Sequence, residues 1–174
     1  EKIISDIEKK FNSVRYGDRA MKLDFEYEDK IDDYLDQLNS KAMDEKMYFQ
    51  IGPNGLVSLP LDDDLNPMTP EDMEQITDEQ INNFKKKQSK LRKHVTRTLD
   101  NFRKTEEEYN KKLEEYERGL VSEIIDLAQQ KHLRTYKAKD KVMDYLKEVK
   151  EDIIDNLKRF KPKDSKGKII FSAR

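Results

Sequence analysis

The sequence predicts a mostly α-helical protein, an antiparallel helical (coiled-coil) arm on a helical bundle, with a small β-hairpin near residues 47–60. Three observations carry that prediction. Charged residues make up 41 % of the chain and apolar ones 34 %, against the ~25 % and ~45–50 % usual in globular domains. With only five Gly and five Pro, this balance suits long, solvent-rich helices better than a thick core. Second, apolar residues step by three and four through most of the chain, eight Tyr and seven Phe among them, which argues against disorder. Third, one stretch breaks the pattern: YFQIGPNGLVSLPLDDDLNPMTPED, Tyr48 to Asp72, brings glycine, proline and a short alternation of large apolar residues.

In chain order, Ile3, Ile4, Ile7 and Phe11 form one helical stripe, and Gly17 is expected to stop that helix. A second helix is expected from about Asp18 to Lys46, with Tyr27, Ile31, Tyr34, Leu35, Leu38 and Ala42 on one face. MYFQI and LVSLPL then read as two strands joined at Gly52-Pro53-Asn54-Gly55, with Pro60 ending the second or placing it at an edge. Thr69 before Pro70 caps a short helix. Thr77 and Gln80 form a capping box that opens the longest helix.

That long helix is expected to run from Asp78 to about Gln130, roughly 80 Å at 1.5 Å per residue. Ile81, Phe84, Gln88, Leu91, Val95, Thr98, Phe102, Thr105 and Tyr109 step by three and four as a polar-diluted heptad seam. Two fours in succession, Thr105 to Tyr109 to Leu113, make a stutter. Beyond it Leu113, Tyr116, Leu120, Ile124 and Leu127 continue the stripe. A helix this long needs a partner. The Asp18–Lys46 helix, returning antiparallel, is expected to set its acidic residues (Asp24, Glu26, Glu28, Asp29, Asp32, Asp33, Asp36) against the basic run Lys85–Lys93. A final helix over Ala138–Phe160 carries Val142, Tyr145, Leu146, Val149, Ile153, Leu157 and Phe160 on one face. Residues 1–17 and 110–160 then form a basal bundle, 18–109 the arm, and 161–174 a charged linker toward a missing C-terminal part.

Thirty-five basic and 37 acidic residues leave a net charge of −2, so neither nucleic acid nor a membrane surface is an expected partner. The absence of cysteine excludes disulfides and thiolate zinc sites and suits a reducing, cytoplasmic compartment. No apolar run approaches the ~18 residues of a membrane span, and no signal peptide is visible. The chain opens at Glu1 and stops after KIIFSAR, which reads as a piece cut from something larger.

Motifs that could carry chemistry have blander explanations. The basic run Lys85–Lys93 lacks interleaved aromatics and reads as a charge-paired or solvated face. DDDLNP offers oxygens at Asp62, Asp64 and Asn66, but Pro67 replaces the turn glycine of a calcium loop and Met73 its last carboxylate. His94 and His132 lie far apart in sequence with no second ligand near either. PKDSKGK, Pro162 to Lys168, lacks the spacing of a phosphate loop, and Ser165, with only nine residues after it and neither base nor scaffold beside it, does not read as a nucleophile. No catalytic, cofactor or metal residues are expected. The residues singled out for contact with another molecule are Tyr48, Phe49, Ile51, Leu56 and Val57 of the hairpin. The competing expectation is that they only pin the arm's tip into the short helix at Met68–Ile76.

From Phe49 onward the order of features resembles a known family. FQIGPNGLVSLPL, NPMTPEDMEQI, the capped TDEQI helix, YERGLVSEIIDL and YLKEVKEDIIDNLKRF are similar to the helical insertion of the AAA module in bacterial Lon-like, ATP-dependent serine proteases. Tyr145, Leu146, Val149, Asp152, Ile153, Asn156, Leu157 and Phe160 match the family's closing helix, whereas the first 45 residues match only in helical pattern. The resemblance implies a parent that assembles as a homo-hexameric ring and carries a Ser–Lys dyad in a separate protease domain. Neither Walker motifs nor that dyad occur in this sequence, so the stretch is expected to be catalytically silent. Cofactors are expected to be none here, with ATP and Mg belonging to the parent chain. The implied role is engaging or gating unfolded protein substrates. The alternative is a stand-alone coiled-coil adaptor or scaffold, which would need the heptad seam to pair two chains.

Overall fold

The computed structural model describes residues 2–136 and 140–159 and is helical apart from one hairpin. Helix α1 (Lys2–Phe11) leads into α2 (Val14–Ala42), and a 3-10 turn at Met43–Glu45 connects to strands β1 (Met47–Gly52) and β2 (Gly55–Pro60). Then come α3 (Pro70–Glu74), α4 (Asp78–Tyr136), α5 (Asp140–Asp155) and a 3-10 turn at Leu157–Arg159. Phe160, the charged linker expected at 161–174 with its PKDSKGK segment, and the His132 side chain lie outside the described residues.

Side-chain caps set where the helices begin. Thr69 Oγ1 accepts from Asp72 N at 3.2 Å while Asp72 Oδ2 accepts from Thr69 N at 2.9 Å. Thr77 and Gln80 do the same for α4, at 3.3 and 2.8 Å. Both caps satisfy amides that the first helical turn would leave orphaned. The expected stop at Gly17 is corrected: Gly17 lies inside α2, and the chain breaks at 12–13 instead. Ser13 makes that break, its Oγ donating to Lys10 O at 2.6 Å and accepting from Tyr16 N at 3.3 Å. The serine closes one helix and caps the next, so no glycine is needed.

The chain divides into two units. Among the described residues, one takes in the chain up to Phe25 and again from Glu108, and the other runs from Glu26 to Glu107.

In the first unit Ile7 and Phe11 of α1 meet Leu120, Val121 and Ile125 of α4 and Leu157. Helix α5 runs antiparallel to α4, tied by Arg118–Asp155 at 3.1 Å, Lys150–Asp126 at 2.7 Å and Gln129 Nε2 donating to Leu146 O at 3.0 Å. The start of α2 is antiparallel to α4 as well. Tyr16 OH donates to Glu117 Oε1 at 2.8 Å and Tyr109 OH to Asp24 Oδ1 at 2.6 Å, so eight residues forward on one helix match eight back on the other. Three expected stripe residues are corrected here, since Ile4, Leu127 (68 % exposed) and Tyr145 (64 % exposed) face outward. Beyond Tyr109 the inward positions of α4 go on by fours, through the half-buried Leu113 and the buried Glu117, Val121, Ile125 and Gln129, with Leu120 buried beside Val121. Repeated fours carry the buried face around the helix, and Leu127 is left off it.

In the second unit Leu38 and Ala42 of α2, Met47 and Phe49 of β1, and Leu91 of α4 form one buried cluster, flanked by Leu35, Leu56, Phe84 and Val95. The eight seam positions from Ile81 to Thr105 in this unit are buried or half-buried, as the spacing predicts, and so is Tyr109 in the first unit. The partner expected for the basic run is corrected. Lys90 pairs with Glu45 at 2.9 Å, beyond the acidic series Asp24–Asp36. Antiparallel pairing sets the end of α2 against the start of α4, and the acidic series lies further along.

Candidate functional site

The hairpin is an antiparallel pair with Met47 opposite Pro60, Phe49 opposite Ser58, Ile51 opposite Leu56 and Gly52 opposite Gly55. Of the turn residues only Gly55 takes a positive φ, +114°, in the left-handed region that glycine tolerates. Gly52 is required for space: a Cβ there would lie 2.9 Å from Val57 Cγ2.

Residues opposite each other share a face of the sheet. Met47 and Phe49 are buried, so Met47, Phe49, Ile51, Leu56, Ser58 and Pro60 look toward the helices. Tyr48, Gln50, Val57 and Leu59 share the outer face. Two polar contacts hold the inner face in place. Asn39 of α2 engages the backbone of Phe49, with Nδ2 donating to Phe49 O at 2.9 Å and Oδ1 accepting from Phe49 N at 2.7 Å. Gln88 of α4 donates from Nε2 to Ser58 Oγ at 2.7 Å. Because Phe49 turns both backbone groups to Asn39, the Phe49–Ser58 and Met47–Pro60 pairs are the non-hydrogen-bonded kind, and the missing N–H of Pro60 costs the ladder nothing.

The loop after β2 closes on itself. Leu61 bridges to Pro67, Met68 N donates to Pro60 O at 2.9 Å, and Asn66 N donates to Asp62 Oδ1 at 2.8 Å. Leu65 sits at φ 64° in this loop and is exposed. Lys46 Nζ reaches Asp63 at 2.8 Å. The hydrogen bond and opposite charge raise the Lys46 pKa and lower that of Asp63. Both groups are open to solvent, so the pair contributes little to stability. Among the described residues no group of three or more His, Cys, Asp or Glu side chains could hold a metal ion.

The five residues singled out from sequence are therefore divided by the pleat. Phe49, 4 % exposed, belongs to the core, and the half-buried Ile51 and Leu56 share its face. Only Tyr48 and Val57 lie on the outer face, Val57 at 37 % exposure. Phe49 and Leu56 pack with Leu38 and Ala42 of α2 and Leu91 of α4, in a cluster to which the short helix α3 contributes no residue. Sequence reasoning missed Leu59, which faces Tyr48 across the pair, although the alternation in LVSLPL carries that signal. It also missed Asn39, for which no signal exists, because an asparagine within a helix reads as neutral.

Comparison with family models, curated proteins and solved structures finds no match to this chain.

Proposed function

We propose that this chain is a non-catalytic helical insertion of a Lon-like, ATP-dependent serine protease, and that its hairpin engages unfolded protein substrates. The observation that carries the second half is the outer face of the hairpin. Val57 is exposed there beside the half-buried Tyr48 and Leu59, while Asn39, Gln88 and the cluster around Phe49 anchor the opposite face. A fixed patch of large apolar side chains suits extended, apolar polypeptide without demanding one sequence. The first half rests on the resemblance of the segments from Phe49 to Phe160. In this reading the parent is a cytoplasmic homo-hexamer that uses ATP and Mg outside this stretch. No helix among the described residues is long and apolar enough to cross a membrane.

Two experiments test the proposal separately. The intact mass and terminal sequences of the native gene product should show a chain several times longer, with a nucleotide-binding segment before Glu1 and a Ser–Lys segment after Arg174. A native product near 20.8 kDa overturns the protease assignment and leaves the adaptor reading. Binding of a permanently unfolded, fluorescently labelled protein should weaken in Val57→Asp and Tyr48→Ser at unchanged helicity. Unchanged binding in both overturns the substrate role.

A further inference from the structure

Strand β2 has an outer edge that the chain covers only in part. Tyr48–Leu59, Gln50–Val57 and Gly52–Gly55 are the hydrogen-bonded pairs of the hairpin, so Leu56, Ser58 and Pro60 turn their backbone groups away from β1. The outer edge of β1 is closed at Phe49, where Asn39 takes both backbone groups. On β2 the chain begins a third strand. Asn66 O accepts from Asp62 N and Met68 N donates to Pro60 O, both at 2.9 Å, with Leu61 bridged to Pro67 between them. Continued in that antiparallel register, Pro70 would stand opposite Ser58. Proline has no N–H for Ser58 O, and Thr69 caps α3 instead, so the third strand stops after Met68. The backbone N–H and C=O of Leu56 and of Ser58 are left without a hydrogen-bond partner among the described residues. Beside them Val57 is exposed on the outer face, next to the half-buried Leu59.

We infer that the edge of β2 at Leu56–Ser58 is a strand-addition site for an extended segment of unfolded polypeptide. The inference rests on the substrate reading of the hairpin and adds that capture runs through backbone hydrogen bonds. An extended chain turns the N–H and C=O of every second residue to the same edge. Two such residues satisfy all four free groups of Leu56 and Ser58, and supply the donor that Pro70 lacks. The residue between them and the next one along stand beside Val57 and Leu59 on the outer face, where apolar side chains fit. Backbone pairing asks for no particular sequence, and the outer face asks only for apolar residues at alternate positions. An unfolded chain meets both conditions. A second copy is the poorer occupant. The antiparallel edge-to-edge pairing that uses all four groups sets Leu56 of each copy opposite Ser58 of the other. It also sets Asn54 opposite Pro60, where Met68 already stands.

The test uses the full chain and two probes, a permanently unfolded protein and a short peptide alternating valine and threonine. Saturation with either should slow exchange of the Leu56 and Ser58 amide hydrogens at least about tenfold, read by nuclear magnetic resonance. The Val57 and Leu59 amides, already bonded to β1, should change little. Two further peptides carry N-methyl groups on alternate residues, one on the threonines and the other on the valines. Their side chains are identical, and only the edge able to donate differs. With the valines beside Val57 and Leu59, methylation of the threonines should weaken binding at least about tenfold and methylation of the valines little. Equal binding of the two methylated peptides overturns strand addition and leaves the apolar face as the site of capture. An unfolded protein that binds without protecting Leu56 and Ser58 does the same. Failure of every probe to bind overturns the substrate reading as well. Protection of these amides that rises with the chain's own concentration would assign the edge to a second copy and overturn the inference.

Discussion

Asn39 acts as a side-chain strand beside Phe49: its amide donates to Phe49 O at 2.9 Å and accepts from Phe49 N at 2.7 Å. One residue in the last turn of α2 thereby satisfies both backbone groups at the edge of β1 and fixes the height of the hairpin against the helix. Helix propensity has no bearing on that choice. An aspartate of the same shape would lose the donor and set its charge against a carbonyl.

Asn39→Ala should therefore destabilise the fold by about 1–3 kcal/mol, the cost of leaving buried amide and carbonyl groups unpaired. Asn39→Asp should cost at least as much despite its near-identical size. Urea unfolding measures both. An Asp variant as stable as the wild type would show that the contact contributes nothing.

The turn gives a second prediction. Gly55 holds φ +114° with open space around the position of a Cβ, so the penalty for a side chain there is purely conformational. Gly55→Ala should cost about 1–2 kcal/mol. Gly52→Ala should also destabilise, for a different reason, because its Cβ meets Val57 Cγ2 at 2.9 Å. Adding Val57→Ala should recover part of the Gly52→Ala loss and none of the Gly55→Ala loss. Thermal unfolding of the single and double variants separates the two cases.

Tyr16 predicts a pH dependence. Its pKa lies well above the ordinary 10.0, first because of burial, then because of the hydrogen bond to Glu117 and the charge of that carboxylate. Glu117 itself is 3 % exposed. A phenol with a raised folded-state pKa stays protonated in the native chain while the unfolded chain loses its proton. Stability is therefore fully present below pH ~10 and falls as pH rises from there toward the folded-state value. Unfolding free energies measured from pH about 9 to 11 should decline more steeply for the wild type than for Tyr16→Phe. Equal slopes would mean that the phenol is not held as the structure has it.

Two neighbours on α4 predict opposite outcomes. Ile125 is fully buried in the first unit's core, whereas Leu127 is 68 % exposed. Ile125→Ala should cost about 2–5 kcal/mol, and Leu127→Ala should stay within about 0.5 kcal/mol. A large loss at Leu127 would mean that a partner covers it in solution.

By itself the sequence determined what depends on neighbours along the chain. The mostly helical class, the Thr69 and Thr77 caps, the two strands and the seam from Ile81 to Tyr109 were legible because caps, turns and periodic faces are read over a few residues. Tertiary structure decided what depends on contact across the chain. Ser13 rather than Gly17 breaks the first helix, since a serine that bonds in both directions along the chain leaves no compositional signal. Leu127 and Tyr145 face solvent because the buried face of a helix is set by the partners it meets, not by its apolar residues alone. Alternation put Phe49 and Val57 on opposite sides of the hairpin, but only the cluster with Leu38, Ala42 and Leu91 decided which side became the core.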